Sequence, residues 1–162
     1  MDQRMSKDKY YLNIADAVLD RSTCLRRKYG AIIVKNDEIL STGYNGAPRG
    51  RVNCSELGYC NREQLNIPSG QRYELCRSVH AEANAIISAS RRDMVGGTLY
   101  LVGRNAQTGE LLTDATSCPM CRRMVINAGL SRVVIRRTPE EFTVVDVEEW
   151  VRTDDLALPE KI

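Results

Sequence analysis

His80-Ala81-Glu82 and Cys118-Pro119-Met120-Cys121 are the two stretches of the 162-residue chain whose residue types and spacing invite chemistry. The chain holds a single histidine and six cysteines, two of them in this Cys-x-x-Cys pair. A pair of this kind at a helix start directs both thiolates toward one point. Pro119 suits the first helical position because its missing N–H costs no hydrogen bond there. With His80 added the donor set has three members, which leaves a fourth tetrahedral position for water. Closed four-ligand sites are usually structural, whereas three ligands and an open position mark a catalytic zinc ion, which lowers the pKa of bound water to about 7. Two thiolates and a neutral imidazole cancel the ion's formal charge, and helix starts add partial positive charge. Glu82, two residues after His80, is poorly placed as a fourth ligand on the same side. It is well placed to carry protons for such a water. Each half alone is ambiguous, since Cys-x-x-Cys also serves redox pairs and zinc ribbons. A ribbon needs a second such pair, which the chain lacks, and a redox pair has no use for His80-Ala81-Glu82.

These residues need elements to position them. Tyr11, Ile14, Ala15, Val18 and Leu19 recur at three- and four-residue intervals and predict a helix over about Asp8 to Asp20. Ala31-Ile32-Ile33-Val34 is a continuous apolar run within a strand, Asn36-Asp37 a turn, and Glu38 to Tyr44 a second strand, so the pair reads as a hairpin. Asn45 to Pro68 is irregular. Val79 to Ser90 reads as a helix ended by Gly96-Gly97, and Thr98 to Val102 as a strand. Gly103 to Thr116 reads as an excursion before a helix over Pro119 to Asn127, closed by Gly129. Val133-Val134-Ile135 is a further strand, and the acidic tail adds one more over Phe142 to Val147 before fraying, with Asp154 and Asp155 beyond it. The order implies one mixed sheet with helices packed on it, an α/β layered domain. We expect a single domain over residues 1–162, with its core at about 8–137 and an acidic tail at 138–162.

Composition narrows the class. The chain is 43% apolar and 27% charged, which is ordinary globular composition, and 23 basic against 21 acidic residues leave a net charge of +2. That balance does not suit a protein whose main task is coating nucleic acid. No apolar run approaches the roughly 18–20 residues of a membrane span. Met1 to Tyr10 is polar, unlike a secretory signal, so a cytoplasmic protein is expected. In a reducing compartment disulfides are improbable, and Cys24, Cys54, Cys60 and Cys76 then ask for an account. They flank or occupy the irregular 45–68 stretch, which calls for an ordering function or a staple. Four thiols are enough to close a structural zinc site; the alternative is four separate buried thiols.

His-x-Glu followed by Cys-x-x-Cys is the signature of zinc nucleobase deaminases, in which the Glu is acid/base and not a ligand. On Tyr29-Gly30-Ala31-Ile32-Ile33-Val34, Gly43-Tyr44-Asn45-Gly46-Ala47-Pro48, Val79-His80-Ala81-Glu82-Ala83-Asn84-Ala85-Ile86 and Cys118-Pro119-Met120-Cys121, the chain resembles the cytidine and deoxycytidylate deaminase family over roughly Tyr10 to Ile135. The stretch at 43–48 points to the deoxycytidylate branch. The resemblance implies a cytidine deaminase-like three-layer α/β/α sandwich with a mixed sheet, mostly of five strands. It implies hydrolytic deamination of dCMP to dUMP with release of ammonia, supplying dUMP for thymidylate synthesis. Zinc would be held by His80, Cys118 and Cys121, Glu82 would shuttle protons, Asn45 would contact the sugar, and the backbone of Ala81 and Ser117 would orient the ring. It further implies a second, structural zinc among the remaining cysteines, a homo-oligomer (dimer or hexamer), and dCTP and dTTP as effectors. The substrate phosphate needs cationic partners, for which Arg26 and Arg49 are preferred because they flank segments expected at the pocket.

Two departures from the family pattern stand out. Ser117 replaces the usual Pro before the first Cys, and Gly103 to Thr116 is an insertion expected near the pocket mouth. Two alternatives stay open: a deaminase of another cytosine or adenine nucleoside or nucleotide, tRNA adenosine included, and a zinc-stabilised nucleotide-binding protein without catalysis. The near-neutral charge argues against tRNA, and the intact Glu82 argues against a silent binder.

Overall fold

Ala31, Ile32, Ile33 and Val34 are all buried because the strand that carries them is covered on both faces. In this computed structural model, which describes residues 3–153, that strand is β1 (Arg27–Lys35). Asn36 and Asp37 both adopt positive φ, as a two-residue hairpin turn requires, and return the chain into β2 (Glu38–Tyr44). With β3 (Thr98–Asn105), β4 (Arg132–Arg136) and β5 (Phe142–Asp146) the strands form one sheet of order β2-β1-β3-β4-β5. Only β3 and β4 are parallel; the other neighbours are antiparallel.

One face of the sheet carries Ile32, Val34, Tyr100, Val102 and Val134, packed against Tyr11, Leu12, Ala15 and Leu19. The last four belong to α1 (Lys7–Val18) and the 3-10 turn that extends it to Arg21. Arg104 on β3 grips Asp16 of α1 through two nitrogens, at 2.7 and 2.8 Å, which ties this layer to the sheet. The other face carries Ala31, Ile33, Leu99, Leu101, Val133 and Ile135. Against it pack α4 (Ala81–Ile87), α5 (Arg91–Met94), α6 (Pro119–Ala128) and α7 (Val147–Arg152). The result is the expected three-layer α/β/α sandwich with a mixed sheet. Among the described residues no helix is long and apolar enough to cross a membrane.

Differences from the sequence reading are local. The irregular stretch contains two single-turn helices, α2 (Cys54–Leu57) and α3 (Asn61–Gln64), too short to show a period. The helix expected over Val79 to Ser90 starts at Ala81, ends at Ile87, and is followed by the separate turn α5. The 103–116 excursion folds back on β3: the Asn105 N–H donates to the Glu110 carbonyl at 2.8 Å and the Leu112 N–H to the Gly103 carbonyl at 2.9 Å. Beyond residue 137, β5 is followed by α7, whose Val147 is buried in the core, so the packed body continues into the acidic segment. Asp154 and Asp155 lie outside the described residues.

Gly43 on β2 lets the sheet approach the first turn of α4. A Cβ there would meet the Ala81 carbonyl at 2.3 Å and the Ala85 nitrogen at 2.5 Å, both backbone atoms that cannot swing aside. Gly43→Ala should therefore cost about 1–3 kcal/mol through overpacking and displace α4. Thermal unfolding should show a midpoint lower by several degrees; an unchanged midpoint would contradict the close approach.

Candidate active site

Two helices that pack side by side bring the chemical residues together. His80 is the residue before α4, Cys118 the residue before α6, and Cys121 lies in the first turn of α6. The crossover from β3 through α6 to the parallel β4 fixes where α6 begins. Gly129, with φ +79, ends α6 in the left-handed conformation that the sequence position suggested. Both sulfurs stand 3.4 Å from Nδ1 of His80, and all three donor atoms lie within 4.8 Å of one another. Donors at zinc-bond lengths of about 2.0–2.3 Å around a tetrahedral ion are themselves roughly 3.5 Å apart, so this set fits zinc.

The protonation of the set suits a dication. Hydrogen bonding with the Cys121 thiol brings the Cys118 thiol down to about 4, while the same bond and burial hold Cys121 far above its usual range. Burial works against a charged His80 ring, but hydrogen bonds with Cys118 and Cys76 outweigh it and raise the ring to about 10. Cys118 and Cys121 as thiolates and His80 as a neutral imidazole would hold a dication in place of these shared protons. Glu82 is 4% exposed, and burial pushes its carboxyl above the usual carboxylate range. That tuning suits a group that must both accept and return a proton.

His80, Ala81, Glu82 and Cys118 line one cleft that opens to solvent. Asn45 lines it too, yet its amide is already committed to the frame. Oδ1 accepts from the Tyr29 N–H at 2.9 Å and the Ser22 hydroxyl at 2.5 Å, and Nδ2 donates to the Arg27 carbonyl at 2.8 Å. One Nδ2 hydrogen is left over. Ser117 is fully buried and is not on the cleft wall; its carbonyl accepts from Arg122 Nε at 3.0 Å. Arg26 reaches the cleft, with its Nε 2.9 Å from Glu63. Arg49 does not. It sits exposed on the turn closed by the Arg51 N–H to the Pro48 carbonyl, which carries it away from the wall.

Cys24, Cys60 and Cys76 line the same cleft, and Cys54 is buried. All six cysteines are free thiols. Among the described residues only His80, Cys118 and Cys121 gather three metal-type donors within 4.8 Å, so the other four are not drawn together so tightly. Of the 103–116 insertion, Thr116 reaches the cleft. Arg27, at the start of the first strand with Arg26, is on the wall as well, while sequence reasoning missed Arg62 and Tyr73 there. Arg62 and Tyr73 come from the aperiodic segment, where no local signal tells an inward side chain from an outward one.

A His/Cys/Cys metal site with a buried glutamate beside it, borne on two helices of an α/β/α sandwich, defines a zinc-dependent hydrolytic site of the deaminase kind. The zinc-binding region of cytidine and deoxycytidylate deaminases matches residues 5–137, and the chain belongs to that family. It is 37% identical over 132 residues to the deoxycytidylate deaminase of Mycobacterium phage D29, covering 78% of this chain and 91% of the phage protein. It is 34% identical over 146 residues to the deoxycytidylate deaminase of Saccharomyces cerevisiae, covering 88% of this chain but 42% of the yeast protein. The chain thus spans less than half the length of the yeast relative. The crystal structure of the cyanophage S-TIM5 dCMP deaminase in complex with dCMP and dUMP superposes with a TM-score of 0.56 at 27% identity, covering 82% of this chain and 84% of that one.

Asn45→Ala should remove the bonds from the Ser22 hydroxyl and Tyr29 N–H and to the Arg27 carbonyl, at about 0.5–1.5 kcal/mol for each. Denaturant unfolding without ligand is expected to show the loss; wild-type stability would mean the amide does not hold this frame.

Proposed function

We infer that this chain converts dCMP and water to dUMP and ammonia. The single observation that carries the reading is the buried Glu82 carboxyl sharing a cleft with His80 and Cys118 of the metal donor set. A purely structural metal site has no use for such a carboxyl. The choice of dCMP is supported by the phage and yeast relatives, both deoxycytidylate deaminases, and by the cyanophage complex with dCMP and dUMP.

His80, Cys118 and Cys121 would hold the zinc ion, which supplies a nucleophile from water near neutral pH. Glu82 accepts the proton lost by the attacking water and delivers it to ring N3, which makes C4 electrophilic. Oxygen bonds to C4, and the C4–N bond breaks as Glu82 passes a second proton to the amino group. Ammonia leaves, and the C4 carbonyl of dUMP remains. The Ala81 N–H, at the first position of α4 with no partner within the helix, would orient the ring. The Ser117 carbonyl, expected to meet the departing amine, accepts from Arg122 and lies off the cleft wall, so it is given no part in this step. The remaining Nδ2 hydrogen of Asn45 would meet the sugar.

A second, structural zinc would draw in Cys24, Cys54, Cys60 and Cys76. Burial, and then the charges of Cys24, Cys76 and Cys60, raise the Cys54 thiol, which supports this reading. A homo-oligomer, dimer or hexamer, would cover apolar side chains such as Ile87 on α4 and Met124 on α6, both exposed. We carry dCTP and dTTP as effectors and thymidylate supply as the use of dUMP on the resemblance alone. A cytoplasmic location suits six free thiols.

Ammonia release should be measured across dCMP, dCTP, deoxycytidine, cytidine and tRNA, with dCMP expected to be preferred; preference for another substrate overturns the assignment. Glu82→Gln should keep its zinc and lose turnover by about 10²–10⁴-fold, and near-normal turnover would refute the proton role. Metal analysis of reduced wild-type protein should find two zinc ions per chain, and one after Cys54→Ala. A single ion in the wild type would sink the structural site.

A further inference from the structure

Arg62 lies on α3, a single turn in the segment without apolar periodicity, yet it is only 7% exposed. A charged side chain buried this far almost always has a counter-ion. Among the described residues no carboxylate pairs with it. Its contacts hold the cation in place without neutralising it. Nε donates to the Gln71 carbonyl at 3.1 Å, Nη2 donates to the Pro68 carbonyl at 3.3 Å, and the guanidinium carbon lies 4.4 Å from the centre of the Tyr73 ring. Of five N–H groups, both on Nη1 and one on Nη2 are uncommitted.

The cation lines the same cleft as the metal donors. Tyr73 bridges the two, meeting the His80 ring edge to face at 5.2 Å between centres. One ring therefore separates the guanidinium from a metal ligand. Arg26, a half-buried arginine of the wall, is already paired with Glu63. Arg62 is the cation of this cleft that is both buried and without a carboxylate.

We propose that Arg62 recognises the 5′-phosphate of the substrate and so selects a nucleotide over a nucleoside. The inference rests on the dCMP reading and extends it to a residue outside the family's sequence motifs. A guanidinium presents parallel donors that match two phosphate oxygens, and its backbone bonds hold that fork in one orientation before substrate arrives. The buried position keeps water from competing, so the phosphate supplies the missing counter-charge.

Binding of dUMP and of deoxyuridine to wild-type protein and to Arg62→Gln separates this role from a structural one. The substitution should weaken dUMP by about 30-fold or more, as expected when a buried charge pair loses one member, and should change deoxyuridine by less than about threefold. In turnover, KM for dCMP should rise far more than kcat falls, and inorganic phosphate should cease to compete. Zinc content should stay at the wild-type level. Equal weakening of both ligands, unchanged dUMP affinity, or loss of zinc overturns the proposal. Tyr73→Leu guards against an effect relayed through His80: it should preserve phosphate competition, and its reproducing the Arg62→Gln profile would also count against the proposal. Should Arg62→Gln not fold, Arg62→Lys keeps the charge and loses the fork; dUMP should still fall by about tenfold while deoxyuridine holds. Absence of ammonia from dCMP in the wild type would defeat the dCMP reading itself, and the dUMP and deoxyuridine comparison would still decide what Arg62 binds.

Discussion

Everything in this molecule answers to one distance: two sulfurs, one at the start of α6 and one a turn further, must stand 3.4 Å from an imidazole nitrogen at the start of α4. Neither helix can meet that requirement by itself. The seven residues of α4 are held by its packing on β1 and β2, where Gly43 removes the side chain that would push it off. The ten residues of α6 are held by the crossover between the parallel strands β3 and β4. A close-packed interior transmits displacements rather than absorbing them, so the core on this face of the sheet works as a jig for the metal donors.

The cleft above that jig gathers thiols, an imidazole and the buried Glu82 together with Arg26, Arg27 and Arg62. Its frame is built from backbone and amide bonds. Asn45 ties the start of β1 to the loop after β2, and Arg62 ties α3 to the residues leading into Tyr73. Site residues here carry double duty, because a cleft wall made of loops has few other buried polar groups to brace it.

Legibility followed the length and period of each element. α1, the β1–β2 hairpin and α6 were readable because an apolar stripe, a two-residue turn with positive φ and a C-terminal glycine each leave a local signature. α2, α3 and α5 were not, since a four-residue helix is too short for any period. α7 was lost within the acidic composition of the tail, although Val147 and Trp150 pack on the core. In the site, His80, Glu82, Cys118 and Cys121 stood out because catalysis needs those types at those spacings. Arg49 and Arg62 show the opposite case. Charge alone says nothing about direction, and one arginine turned out to solvent while the other turned in.

The amino-acid sequence by itself determined the donor types, the proton carrier, the helix starts that present them and the apolar runs that make a two-sided sheet. These are local properties, written in residue chemistry and short-range periodicity. Only the tertiary structure decided that the donors come within one coordination sphere, that Asn45 spends most of its amide on the frame, that the Ser117 carbonyl accepts from Arg122, and which arginine is buried in the cleft. Those outcomes depend on contacts between segments distant in the chain, which exist only once the sheet is assembled and both of its faces are covered.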